Sequence, residues 1–182
     1  MSGKLVILSG PSGVGKDAVI DAWIAANPRV KRVVTYTTRA PRDGEKNGVD
    51  YNFVSPAKFA ELEGLGRFWE SKNVHGHMYA SPKADTEQLL EQGRVAILKI
   101  DVQGALEVMQ LCPEALTVFI MPPSDAELER RIRGRATEDE DTINQRLETA
   151  KKEIECAGLY QHRIVNDDLA KTVQELQEIV SR

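Results

Sequence analysis

Apolar residues along this chain fall into short clusters separated by polar stretches, and the period changes from cluster to cluster. The compact run "KLVILS" predicts a buried strand over Lys4–Leu8. From Lys16 to Ala26 the apolar positions Val19, Ile20 and Trp23 recur at helical spacing, and Asn27-Pro28 ends that helix. "VKRVVTYTT" is rich in β-branched residues, whereas "RAPRDGEKNGVDY" is a polar loop punctuated by Pro, Gly and Asn-Gly. "YNFVS" predicts another strand, and Pro56 to Gly64 a short helix capped by Ser55. "RFWESKNVHGHMYASP" reads as strand, turn and strand, followed by a helix from Thr86 to Gln92 that Gly93 closes.

The second half repeats the alternation. Arg94–Ile100 is strongly apolar and predicts a strand, and Ala105–Leu111 a helix. "ALTVFIMPP" is a third apolar strand, stopped by Pro122-Pro123. Asp125–Ile132 begins a helix, "RGRATEDEDTINQRL" is polar and charged, and a long helix runs from about Thr142 to Cys156. "HRIVNDD" supplies a short strand, and Ala170–Val180 a last helix with Val173, Leu176 and Ile179 spaced for packing. Buried strands alternating with helices predict an α/β fold with a parallel sheet covered on both faces. No internal repeat or low-complexity tract interrupts it.

Composition narrows the function classes. A chain of 182 residues fits one domain. The net charge of −4 argues against a nucleic-acid partner, which needs a basic face. No stretch approaches the roughly 18 apolar residues of a membrane span. The N-terminal residues lack a signal-peptide pattern, so the expected location is cytoplasmic. Cys112 and Cys156 are far apart and read as free thiols.

The chemistry starts at Gly10-Pro11-Ser12-Gly13-Val14-Gly15-Lys16, which matches G-x-x-x-x-G-K between a predicted strand and a predicted helix. Its glycines let successive N–H groups turn inward, and with the helix N-terminus they favour a phosphate. Lys16 is expected on the β- and γ-phosphate oxygens. Asp17 follows where a Mg²⁺-ligating hydroxyl is usual. Two readings stay open: Asp17, or a water it holds, positions Mg²⁺, or it is a favourable helix-start carboxylate turned away.

Farther along, Arg39 and Arg42 sit three apart in the polar loop, near Glu45 and Tyr51. Two guanidiniums and a phenol suit a phosphate clamp, and the alternative is solvated surface charge. Glu70 lies among apolar residues in "FWES". A carboxylate there accepts from a ring N–H and an exocyclic amine, which guanine presents on one edge and adenine does not; otherwise it faces water. Tyr79 and Ser81 are further candidate contacts. His75 and His77 have the spacing of a metal pair but lack a third ligand, and read as a polar turn. Asp101 ends the strand "VAILKI", at the sheet edge where ligands bind in open α/β folds. It orients an acceptor, reaches Mg²⁺ through water, or caps a helix.

Taken together, "LSGPSGVGK", "TTRAPRDGEKNGVDYNF", "WE", "MYASP", "IDVQGA", "FIMPPS", "RGRATEDEDTINQRL" and "IVNDDL" resemble the guanylate kinase family over nearly the entire chain. The resemblance implies a P-loop NTPase core, a small mixed α/β nucleotide-monophosphate-binding subdomain and a helical lid. Their expected extents are 1–34, 84–126 and 157–182 for the core, 35–83 for the subdomain and 127–156 for the lid. It implies Mg²⁺-dependent transfer of the ATP γ-phosphate to GMP, and expected partners of ATP and GMP in a monomer or small homo-oligomer.

By resemblance, Arg39, Arg42, Tyr51 and Tyr79 meet the GMP phosphate, with Glu45 nearby. Thr35, Glu70, Ser81 and Asp101 surround guanine and its sugar. Arg131, Arg135 and Arg146 meet ATP phosphates when the lid shuts. The loop residues Gly10 to Lys16, with Asp17 and Ala18, hold the donor, and Asn166 lies near the adenine side. The departures are Asp17 for Ser or Gly, Ala18 for Thr or Ser, Ser71-Lys72 for an aromatic residue and Ala, and "HMYAS" for "NYYGT/S". Rival readings are a kinase of the same fold acting on ribose 1,5-bisphosphate, and a non-catalytic protein-binding module.

Overall fold

A computed structural model describes residues 2–74, 76–134 and 139–182. The chain forms two sheets. The larger has five parallel strands, β1 (Lys4–Ser9), β2 (Val30–Arg32), β7 (Val95–Lys99), β8 (Leu116–Met121) and β9 (His162–Val165), in the order β2-β7-β1-β8-β9. Period-two alternation explains why β1 reads as a solid apolar run: Val6 and Leu8 enter one core and Leu5 and Ile7 the other.

The first core packs α1 (Lys16–Ala26) and α7 (Leu169–Ser181) on the sheet through Val19, Ile20, Trp23, Val173 and Leu176. The second packs α4 (Val102–Leu111) through Val102, Ala105 and Val108, together with Phe119 and Tyr160. Both cores are almost wholly buried. Removing apolar area from water is therefore what fixes the strand ends, and with them the loops that leave the sheet.

The smaller sheet has the order β4-β3-β6-β5, from β3 (Tyr36–Thr37), β4 (Asn52–Phe53), β5 (Phe68–Val74) and β6 (His77–Pro82). It is mixed: β3 pairs β4 in parallel and β6 antiparallel. Beside it lies α2 (Pro56–Gly64), which opens on Ser55 Oγ accepting from Lys58 N at 3.2 Å. Phe59, Phe68 and Ala80 form a small core of their own. The remaining helices are α3 (Lys83–Glu91), α5 (Asp125–Arg133) and α6 (Glu140–Glu155). Leu128 and Ile132 of α5 pack on Ile143 and Ala150 of α6.

Several boundaries differ from the pattern-based reading. The β-rich "VKRVVTYTT" splits between the two sheets, and "YNFVS" shrinks to two paired residues. α3 starts at Lys83 rather than Thr86, directly after Pro82 ends β6. α4 starts at Val102 rather than Ala105, because Asp101 Oδ1 accepts the Gly104 N–H at 2.7 Å. α6 starts at Glu140 rather than Thr142, because Asp139 caps it, and Cys156–Leu159 tightens into a 3₁₀ turn. Among the described residues, no helix is long and apolar enough to cross a membrane.

Candidate active site

The predicted phosphate loop joins β1 to α1. Gly10, Gly13 and Gly15 all have positive φ, and Gly15 in the left-handed region is the N-cap of α1. The loop is also wedged. A Cβ on Gly15 would lie 2.9 Å from Asn166 Nδ2, and one on Gly13 2.9 Å from Ile132 Cγ1. Pro11 accepts the Val14 N–H at 3.3 Å within the loop. Lys16 Nζ folds back to donate to the Gly10 carbonyl and, at 3.1 Å, to the Pro11 carbonyl.

Three elements hold the loop from outside. Asn166, which follows β9 and is buried, donates from Nδ2 to the Val14 carbonyl at 2.8 Å and accepts from Thr172 Oγ1 at 3.3 Å. Arg131 of α5 donates to the same carbonyl at 3.2 Å and to Glu127 at 2.7 Å. Arg146 of α6 donates to Ser12 Oγ at 2.8 Å. Asn166 thus stands behind the loop as a strut. Arg135 and His75 lie outside the described residues.

Asp17 and Ala18 are exposed on the first turn of α1. Asp17 is not turned away into solvent. Its Oδ1 accepts from Lys99 Nζ at 2.7 Å and from Arg32 at 3.0 Å. Partial burial pushes its carboxyl up, but the charge and hydrogen bond of Lys99, with Arg32 and Lys16, outweigh that and hold it below its usual value.

A cleft of about 310 Å³ runs from the loop (Gly10, Ser12, Lys16) past Asp101, Thr35 and Tyr79 to Glu70 and Ser81. Glu70 does not face water: it is buried, and Ser81 Oγ donates to its Oε1 at 2.6 Å. Burial pushes the Glu70 carboxyl up. The Ser81 hydrogen bond and Lys72 pull it down, while Asp101 and Glu107 push it up further. Asp101 caps α4, one of its three expected roles, and also lines the cleft.

A second, more polar pocket adjoins the first and shares Tyr51, Tyr79 and Lys99 with it. Arg39, Arg42, Glu45 and Asp17 line it. Arg39 donates to both Glu45 oxygens at 2.8 and 3.0 Å and to Tyr79 Oη at 3.3 Å. The Arg39 hydrogen bond holds the Glu45 carboxyl below its usual value, and Glu45 also accepts the Arg42 backbone N–H at 2.7 Å. Tyr51 lies edge-on to Tyr79, with ring centres 5.9 Å apart. Glu45 therefore acts as a brace that aims Arg39 between two phenols.

Of the departures in the hairpin, Ser71 turns to α2 and bonds Glu63, His77 is exposed, and Met78 packs beside the small core. Lys72 and Ala80 line the cleft.

Among the charged residues lining the two pockets, Arg32, Asp50, Lys99 and Glu153 escaped the sequence reading, and Lys72 entered it only as a departure from the family pattern. Arg32 and Lys99 end β2 and β7, at the same sheet edge as Asp101, so the edge rule that singles out Asp101 points to them as well. Lys72 follows Glu70 at period two on β5. Glu153 lies seven residues, two helical turns, after Arg146 on α6 and lines the cleft beside Ser12 and Lys16. Burial pushes its carboxyl up, against the pull of Lys16 and the Ser12 N–H.

The guanylate kinase family model matches residues 2–182. A guanylate kinase of Nostoc sp. (strain PCC 7120) is 43% identical over 177 residues, covering 97% of this chain and 89% of that protein. The crystal structure of guanylate kinase from Anaplasma phagocytophilum superposes with a TM-score of 0.79 at 32% identity, covering 99% of this chain and 85% of that one. The SH3-kinase fragment of tight junction protein 3 shares the fold alone, at 14% identity and a TM-score of 0.53. A wedged phosphate loop, a clamped arginine and a buried acceptor carboxylate thus occur in a chain that belongs to the guanylate kinase family.

Proposed function

We propose that this chain transfers the γ-phosphate of ATP to GMP, and to dGMP, giving ADP and the nucleoside diphosphate. The observation that carries this reading is the continuity of the cleft, which joins the Lys16 loop to the buried Glu70–Ser81 pair. Residues 1–34, 84–126 and 157–182 act as the donor core, 35–83 as the acceptor subdomain and 127–156 as the lid.

Guanine enters against Glu70, which accepts from its N1–H and 2-amino group. Ser81 fixes the carboxylate, and Thr35 and Asp101 complete the base and sugar contacts. Arg39, Arg42, Tyr51 and Tyr79 hold the acceptor phosphate, with Glu45 keeping Arg39 in place. One oxygen of that phosphate attacks the γ-phosphorus in line. The new P–O bond forms as the bond to the β-phosphate oxygen breaks, and the electron pair leaves with ADP. No covalent enzyme intermediate is needed. Lys16 and the arginines Arg131, Arg135 and Arg146 stabilise charge on the moving group, so the rate comes from alignment and electrostatics.

Bound together with ATP, Mg²⁺ would supply charge neutralisation on the phosphates, and Asp17 would help hold it, directly or through water. Both of the Asp17 ion pairs use Oδ1, which leaves Oδ2 to hold the ion or a water on it. Among the described residues no cluster of three or more metal-ligating side chains exists.

The test is ADP release from ATP with Mg²⁺, offering GMP, dGMP, AMP, CMP, UMP and ribose 1,5-bisphosphate in parallel. GMP-dependent turnover well above the others is the expected result. Stronger turnover with ribose 1,5-bisphosphate would replace the acceptor, and turnover with none would replace catalysis by binding.

A further inference from the structure

Strand β5 carries Glu70, Lys72 and Val74 at period two, and all three line the cleft. Lys72 therefore stands next to the guanine-reading carboxylate on the same face of the same strand. Its Nζ is held by an ion pair to Glu107, one turn beyond Gly104 on α4. At Gly104 itself the helix presses close: a Cβ there would lie 2.9 Å from Glu70 Oε2.

The polar groups facing Glu70 are few. Asp101 and Glu107 face it from α4, the Ser81 hydroxyl from β6, and Lys72 from β5. Lys72 is the only cation in that set. Lys72 thus interacts with three carboxylates, one of them buried, in a cleft that Lys16 and Lys99 also line. A buried carboxylate with no cation nearby takes up a proton.

The protonation state decides which purine fits. An ionised carboxylate only accepts, which suits the N1–H and 2-amino donors of guanine. A neutral carboxyl has one donor and one acceptor, which suits adenine, whose N1 accepts and whose 6-amino group donates. We propose that Lys72, held by Glu107, is a specificity-determining residue that keeps Glu70 a pure acceptor and so excludes adenine from the acceptor site. This rests on the guanylate kinase reading and deepens it. Burial pushes the Glu70 carboxyl up, and the Ser81 hydrogen bond and then Lys72 oppose it.

The experiment compares kcat/KM for GMP and for AMP in the unmodified chain, Lys72→Met and Lys72→Arg, with melting temperatures confirming that each variant is folded. Methionine keeps the apolar stem and removes the charge. The expected result is a fall of about tenfold or more in the GMP-to-AMP ratio for Lys72→Met, carried by a higher KM for GMP and measurable AMP turnover. Lys72→Arg, which keeps the charge, restores the ratio. An unchanged ratio in folded Lys72→Met, whether both rates fall together or neither moves, overturns the proposal. Absence of GMP turnover in the unmodified chain overturns the underlying reading instead, so the two failures are distinguishable.

Discussion

The two ends of the cleft are built on opposite principles. At the donor end, the loop from Gly10 to Gly15 offers backbone N–H groups, and its shape is imposed by a buried parallel sheet and by Asn166 wedged behind it. At the acceptor end, the strands β3 and β4 are two residues each, and the polar groups that matter are side chains held by other side chains. Arg39 is aimed by Glu45 and Tyr79, and Glu70 by Ser81. A backbone cradle suits a triphosphate common to many reactions. A side-chain pocket can be retuned residue by residue, and Lys72 lines this one.

Substitutions at each end separate these principles. The largest effect is expected from Arg39→Ala, which removes a bidentate cation from the acceptor end. Its kcat/KM for GMP should fall about 10²- to 10³-fold while the KM for ATP stays put. Equal losses toward both substrates in steady-state kinetics would show that the two ends are not separable. Gly15→Ala should act on the donor end through strain. A side chain at φ 96°, 2.9 Å from Asn166 Nδ2, should cost about 1–3 kcal/mol and lower the melting temperature by about 5 °C. The KM for ATP should rise and that for GMP should not; a calorimetric scan and a KM pair decide the matter. The smallest effect belongs to Asp17→Ser, at the junction of the ends. Asp17 is largely exposed and shared by two cations, so its removal should change the half-saturating Mg²⁺ concentration by about threefold. A Mg²⁺ titration that superposes on the unmodified one would remove Asp17 from the metal site.

The same contrast explains what the sequence made legible. The loop is contiguous, and its chemistry is written in seven successive residues between a strand and a helix. The long buried strands β1, β7 and β8 are equally plain, because solid apolar runs need no partner to be recognised. By contrast, β3 and β4 are too short for any period to show, and their pairing depends on Asn52 reaching the Thr35 carbonyl at 2.8 Å. Asp101 was legible as an edge residue, and the start of α4 follows from its cap. Lys99 and Glu153 were not, because each acquires its meaning from a partner on another element: Asp17 and the loop at Ser12 and Lys16. Charge on an isolated segment reads as a solvated face until the fold supplies its counter-charge.

The strut behind the loop carries a consequence for time rather than for space. Val14 and Asn166 are 152 positions apart, so the contact that fixes the first motif in the chain joins it to nearly the last. During synthesis the glycine loop emerges early and waits, unsupported, while most of the molecule is made. Long-range closure of this kind is slow, because loop entropy is lost before the contact returns it. Competence to hold a nucleotide therefore arrives late and all at once, when β9 joins the sheet and Asn166 slides home. A chain that ends before β9 is therefore expected to carry the full phosphate motif without the Asn166 strut behind it.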